Sequence, residues 1–156
     1  MNAVLRRLKR HFPFVGTRPA TEDDFHEFCT RRGVAVEYNE CIATGIYAYE
    51  TESKKHAIFL NSGLAGWSLL YVMFHELGHY IFHVPPKSRE VATGIVTHGF
   101  DDKLKKKQHR EAEATAAYLL LPIADLESAL LDGSYRENDR LASLIGTRLE
   151  LYREDE

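Results

Sequence analysis

Residues 67–84 read WSLLYVMFHELGHYIFHV, a long apolar run that carries His75-Glu76-Leu77-Gly78-His79 at its middle. Apolar side chains at nearly every helical angle predict a helix buried on all sides, and so the centre of the domain. Two histidines four residues apart on a helix share one face, about 6 Å of rise apart, so both imidazoles can reach a single metal ion. Glu76 is turned about a quarter of the way round from His75. It can therefore border such an ion without ligating it, which is where a general base for an attacking water has to sit. Burying three ionisable groups is costly unless something compensates them, and a divalent metal does so. A five-letter pattern also arises by chance, and a core-facing histidine is often only a hydrogen-bonded structural residue. The buried helical context is what favours the metal reading. Gly78 points the same way, since a mid-helix glycine costs about 1 kcal/mol against alanine and so marks a close approach of backbone or substrate.

Two histidines leave a catalytic zinc short of one protein ligand. His83 continues their face, but its Cα falls about 12 Å from that of His75 along an unbroken helix. It reads as a helix-terminal residue or as a partner supporting a ligand. The longer HExxHxxGxxH pattern fails, with Phe82 where glycine is needed and Pro85 where the third histidine should stand. Downstream, residues 109–121 (HREAEATAAYLLL) predict a second helix stopped by Pro122. Glu111 and Glu113 point about 200° apart on it, so only one can face the metal. Thr115, Tyr118 and Pro122 share the face of Glu111; Ala117 and Leu120 share that of Glu113. The pattern does not choose between them.

Around these two helices the chain is punctuated clearly. Residues 3–11 predict a short basic helix with Val4, Leu5 and Leu8 on one side, and its charges read as a solvated face. Pro13 and Pro19 break the chain. Thr21-Glu22-Asp23-Asp24 is a capped helix start, and Gly33 is its stop. Residues 34–38, 45–50 and 56–60 read as strands. Residues 87–108 are mixed and polar, with turn signals at Thr93-Gly94 and His98-Gly99 and a basic run at Lys103–Lys107. A connection this long is expected to be solvated surface or a flap over the site. Residues 138–152 predict an amphipathic helix docked through Leu141, Leu144, Ile145, Leu149 and Tyr152. Short strands followed by helices imply an α+β domain, with a small antiparallel or mixed sheet packed on the buried HExxH helix.

The chain has 156 residues, enough for one domain with its own core, and its net charge of −3 gives no general attraction to nucleic acid or membrane. Two cysteines are not a disulfide framework. The basic N-terminus lacks an apolar core of the signal-peptide kind, and the run around Trp67 is interrupted by charge. A soluble cytoplasmic protein is the expectation, with residues 1–19 a basic segment, 20–130 the core and 131–156 a helical end.

HELGHYIFH at 75–83 and E-A-x-A-x-A-A-x-L-L-L-P at 111–122 resemble the ImmA/IrrE family of zinc metallopeptidases, whose second motif runs E-A-N-x-F-A-x-x-L-L-M-P. The strand bearing Thr44-Gly45-Ile46 and the one ending Ile58-Phe59-Leu60-Asn61 also precede the helix as in that family. The resemblance spans roughly residues 20–130 and departs at Glu113 and Thr115, which replace Asn and Phe. Aligned on Pro122, it puts the family's ligand carboxylate on Glu111. It implies zinc held by His75, His79 and Glu111, with manganese as the alternative ion, and Glu76 as the base. Tyr80, His98, His109 and Tyr118 are candidates for supporting the developing oxyanion. It further implies an endopeptidase acting on a helix-turn-helix repressor to induce a stress-response or mobile-element operon, here as a catalytic domain alone. Two alternatives stand beside this. One is a metal-stabilised module that inactivates a repressor by holding it. The other is a peptide-deformylase-like amidase using Cys41, although the segment Asn39-Glu40-Cys41-Ile42 lacks the glycine of that enzyme's motif.

Overall fold

The computed structural model describes residues 2–83, 95–96 and 102–155. Its elements in order are α1 (Ala3–His11), α2 (Glu22–Arg32), β1 (Val34–Tyr38), β2 (Gly45–Glu50), β3 (Lys55–Leu60), α3 (Gly66–Phe82), β4 (Ile95–Val96), α4 (Asp102–Leu120), α5 (Ile123–Asp132), a 3-10 turn (Ser134–Glu137) and α6 (Asp139–Asp155). The architecture is α+β, as expected.

The first helices show how local chemistry sets the boundaries. At α2 the Thr21 hydroxyl accepts the Asp24 N–H, and the Asp24 carboxylate accepts the Thr21 N–H in return. The helix ends at Gly33, whose φ of 67° only glycine adopts without strain. The N-terminal segment docks through its apolar side and leaves Arg6, Arg7, Lys9 and Arg10 exposed. Leu8, Phe12 and Val15 are buried in the core, and the Asn2 N–H donates to Asp155 Oδ1 at 2.8 Å, tying the start of α1 to the end of α6.

The sheet has the order β1-β3-β2-β4 and is mixed. Here β1 runs parallel to β3, with Val36 opposite Ile58, while β2 is antiparallel to both β3 and β4. α3 lies across it so closely that a Cβ on Gly45 would collide with Val72 Cγ1 and meet Glu76 Cγ at 3.1 Å. On its other side α3 packs on α4, and Gly78 marks the crossing. A Cβ there would come within 2.8 Å of Ala112 Cα and 3.0 Å of Thr115 Cβ. Ala112, buried at the crossing, keeps the facing surface of α4 equally thin. Small residues on both helices let the metal-motif backbone sit almost against α4, and the core (Phe25, Phe74, Met73, Leu77, Leu119, Leu120) fills the space beside that seam.

Two boundaries need correction, while Pro122 stops the helix before it as expected. The helix before Pro122 begins at Asp102, not at 109, so the Lys103–Lys107 run belongs to its first turns rather than to a loop. Pro122 ends α4 but also caps α5, and the two helices meet at 82° there. The last helix extends to Asp155. The expected flap falls mostly outside the described residues.

Candidate metal centre

α3 brings His75, Glu76 and His79 into the interior, at 8 %, 5 % and 3 % exposure. The two imidazoles lie with ring centroids 5.1 Å apart and at a steep angle. Glu76 is oriented from the sheet: its Oε2 accepts the Tyr47 backbone N–H at 2.9 Å. Gly45, two residues earlier on β2, makes that approach possible by having no side chain. Burial pushes the Glu76 carboxyl up to about 7, against the opposing pull of the Tyr47 N–H.

From His79 a relay runs to Glu111. His83 Nδ1 stands 3.0 Å from His79 Nδ1, and His83 Nε2 stands 2.8 Å from Glu111 Oε2. The tautomers follow from the partners. A carboxylate only accepts, so His83 Nε2 carries the proton. With Nε2–H given to the carboxylate, Nδ1 is the ring nitrogen of His83 left to accept from His79 Nδ1, and burial holds the His83 imidazole below its ordinary pKa despite Glu111. The proton on Nδ1 makes Nε2 the lone-pair nitrogen of His79, the state a metal-ligating imidazole requires.

His75 has a counterpart chain on its other side. The His109 ring lies 5.0 Å from it and the Tyr71 ring 5.4 Å. Both of those side chains reach Glu113: His109 Nε2 is 3.3 Å from Oε1, and the Tyr71 hydroxyl donates to the same oxygen at 3.3 Å. Thr44, Tyr71, Val72, His75, Glu76, His109 and Arg140 line a cleft of about 190 Å³ at this end of the site. Arg140 lies over the Tyr71 ring at 4.2 Å.

The expected residues therefore divide. His75, Glu76 and His79 are brought together. Glu111 is brought to His83 instead of joining the pair, and among the described residues no three His, Cys, Asp or Glu side chains are gathered as a metal-holding group. Of the four oxyanion candidates, His109 lines the cleft. Tyr80 does not; its ring packs edge-on against Phe28, Tyr47 and His56, because its position on α3 faces the sheet and α2. Tyr118 is held in the seam between α4 and α6, its hydroxyl donating to Asp155 at 2.8 Å with Arg148 over the ring. His98 lies outside the described residues. Cys41 is exposed in the β1–β2 connection and is not among the lining residues. Tyr71 and Arg140 are additions to the expected set. Tyr71 precedes His75 by four, so helical spacing alone puts it on the histidine face; Arg140 arrives from α6 and has no local signal.

The donor chemistry fits a divalent ion: two buried imidazoles, the tautomer of one fixed by a carboxylate-backed relay, with an un-ligating carboxylate alongside. A family model, the IrrE N-terminal-like domain of Peptidase M78, matches residues 29–153. The chain belongs to that family. The match runs from α2 through α6, so the Peptidase M78 assignment covers both motif helices and the sheet. Peptidase M78 proteins are generally metal-dependent. Among curated proteins, none is similar enough to this chain to count as a match. No single helix among the described residues is long and apolar enough to cross a membrane.

Proposed function

We propose that this M78 domain is a zinc-dependent endopeptidase that acts on a protein substrate, a helix-turn-helix transcriptional repressor, in the cytoplasm. The observation that carries the reading is Glu76: a buried carboxyl, held by a backbone N–H beside two adjacent histidines, opening on a cleft. A purely structural metal site has no use for such a group. His75 and His79 would hold the ion, with Glu111 as the family's carboxylate and manganese as the alternative metal. When bound, the ion supplies Lewis acidity, acidifying water and polarising the scissile carbonyl.

The chain's own residues account for the rest. The Tyr47 N–H fixes the plane of the Glu76 carboxylate. Burial raises its pKa towards neutrality, so the group can take a proton from water and return it to the leaving amine at physiological pH. Tyr71 and His109 line the cleft beside Glu76, and Glu113 holds both in place through its Oε1. His83 and Glu111 set the His79 tautomer.

The engagement of Glu111 by His83 favours one second reading, a non-catalytic module that binds a repressor without cutting it. Nothing at Cys41 supports the amidase reading. Elemental analysis separates these readings, on wild type and on the Glu111→Ala, Glu113→Ala and Cys41→Ala variants. One metal per chain, lost with Glu111→Ala alone, supports the peptidase. Metal undiminished in Glu111→Ala removes that residue from the ligand set. Wild type devoid of metal moves the binding module to the front. Co-expression with a candidate repressor, followed by mass spectrometry of its fragments, then tests cleavage.

A further inference from the structure

Helix α1, AVLRRLKRH, carries Arg6, Arg7, Lys9 and Arg10 and no carboxylate. Taken by itself the helix reads as solvated surface. The fold adds a second set of cations, because α2 ends in Arg31 and Arg32 beside the last turn of α1. Arg10, His11, Phe28, Arg31 and Arg32 enclose a pocket of about 160 Å³. Arg32 Nη2 donates to His11 Nδ1 at 3.1 Å, and its guanidinium lies over the Phe28 ring. Among the described residues the one acidic partner in this group is Glu27, 3.9 Å from Arg31 with both side chains exposed, a pair of little strength. His11 is held below its ordinary pKa, first by burial and then by Arg32, Arg7 and Arg10, as a locally positive potential requires. Cations at helix C-termini are commonplace, each worth about 0.3–1 kcal/mol against the dipole. That accounts for one or two here, not for guanidinium groups from two helices converging on one pocket in a chain of net charge −3.

We propose that the pocket between the ends of α1 and α2 binds the phosphodiester backbone of duplex DNA. The cations of the pocket are all arginine, whose planar fork matches two phosphate oxygens at once. A membrane surface fits less well. The apolar side of α1 is already spent on the core, with Leu8 and Phe12 buried and Val4 and Leu5 packed against it, so no apolar face is left to enter a bilayer. The contact is to phosphate only and is therefore blind to sequence and sensitive to salt. The inference does not rest on the peptidase reading. If both hold, the patch keeps the enzyme close to a substrate that is itself bound to DNA.

The test is fluorescence anisotropy of a labelled duplex of about 20 base pairs with the full chain, over about 50 to 200 mM salt. The expected result is micromolar binding at the low end, with a log–log salt slope of about −3 from three or four neutralised phosphates. Arg31→Glu/Arg32→Glu should weaken binding by about tenfold or more, well beyond what a melting temperature lowered by a few degrees explains, and Arg10→Glu alone by a smaller factor. Lys54→Glu/Arg136→Glu, the same charge change outside the patch, should alter it by less than about twofold. Absence of binding at low salt overturns the proposal. So do equal losses in the two double variants, or binding to phosphatidylserine-rich vesicles in preference to the duplex.

Discussion

Replacing Gly78 by alanine sets helix propensity against packing, and the structure decides the sign. Alanine in a helix interior is favoured over glycine by about 1 kcal/mol. At this position, however, the new methyl would stand 2.8 Å from Ala112 Cα and 3.0 Å from both Thr115 Cβ and Oγ1. An unstrained carbon–carbon contact needs about 3.5–4.0 Å, so α4 would have to retreat by roughly 1 Å. The nearest atom is backbone, which no rotamer change can relieve. Overpacking of this kind costs about 1–3 kcal/mol. The net expectation is a loss of about 1 kcal/mol and a melting temperature lower by about 2–4 °C. The retreat also carries Glu111, next to Ala112, away from His83, so metal retention should fall more than stability does. Gly146→Ala is the matched control. It lies on α6, exposed, with nothing within 4 Å of the added methyl, and should gain up to about 1 kcal/mol. Thermal melts of the two variants by circular dichroism test the reasoning. A Gly78→Ala protein as stable as wild type would refute the close seam between α3 and α4.

Glu76→Gln should keep the fold and the metal but reduce cleavage of a substrate by at least about 100-fold, read by fragment mass spectrometry, since general-base catalysis is worth about 10²–10⁴. His83→Phe should leave the melting temperature within a few degrees yet lower metal affinity by about 10–100-fold in a competition titration, because His79 loses the partner that fixes its tautomer. Asp24→Asn should cost under about 1 kcal/mol at neutral pH in urea melts, since Arg18, its partner at 2.7 Å, is half exposed. The Arg18 guanidinium holds Asp24 down at about 2 from 3.8, so its stabilisation is fully present above the ordinary value and disappears as pH falls through about 2. The gap between Asp24→Asn and wild type should close over the same window.

Much of this fold is written locally. Thr21 through Asp24 and Gly33 bracket α2 with side-chain and backbone chemistry that needs no tertiary context, and 34–38 and 45–50 match their strands at both ends. His75, Glu76 and His79 are legible for the same reason: a spacing of four on a helix is geometry contained in the sequence. The failures are where the answer lies in another element. The parallel pairing of β1 with β3 is a matter of register between segments some twenty residues apart, and no residue in either announces it. Pro122 reads as a terminator because it cannot continue α4, yet the same fixed φ suits it to start α5. The lysines before His109 read as surface and are helix, in keeping with lysine's good helix propensity. Motif alignment picks out Glu111, but that it meets His83 depends on how α3 and α4 cross at Gly78 and Ala112.

The bond from Asn2 to Asp155 has a topological meaning. Residues 153 apart in sequence touch in the folded state, so the described chain is already a nearly closed ring. In a chain cut to residues 2–155, a peptide linker of a few residues between them would ask for no rearrangement of α1 or α6. It would act almost wholly on the unfolded chain, by removing the freedom of its ends to separate. New ends could then be opened at the exposed turn around Lys54, outside both motif helices. The order of helices and strands along the chain is then one cut of a circle, and the centre built around α3 and α4 needs only that the cut fall outside those two helices.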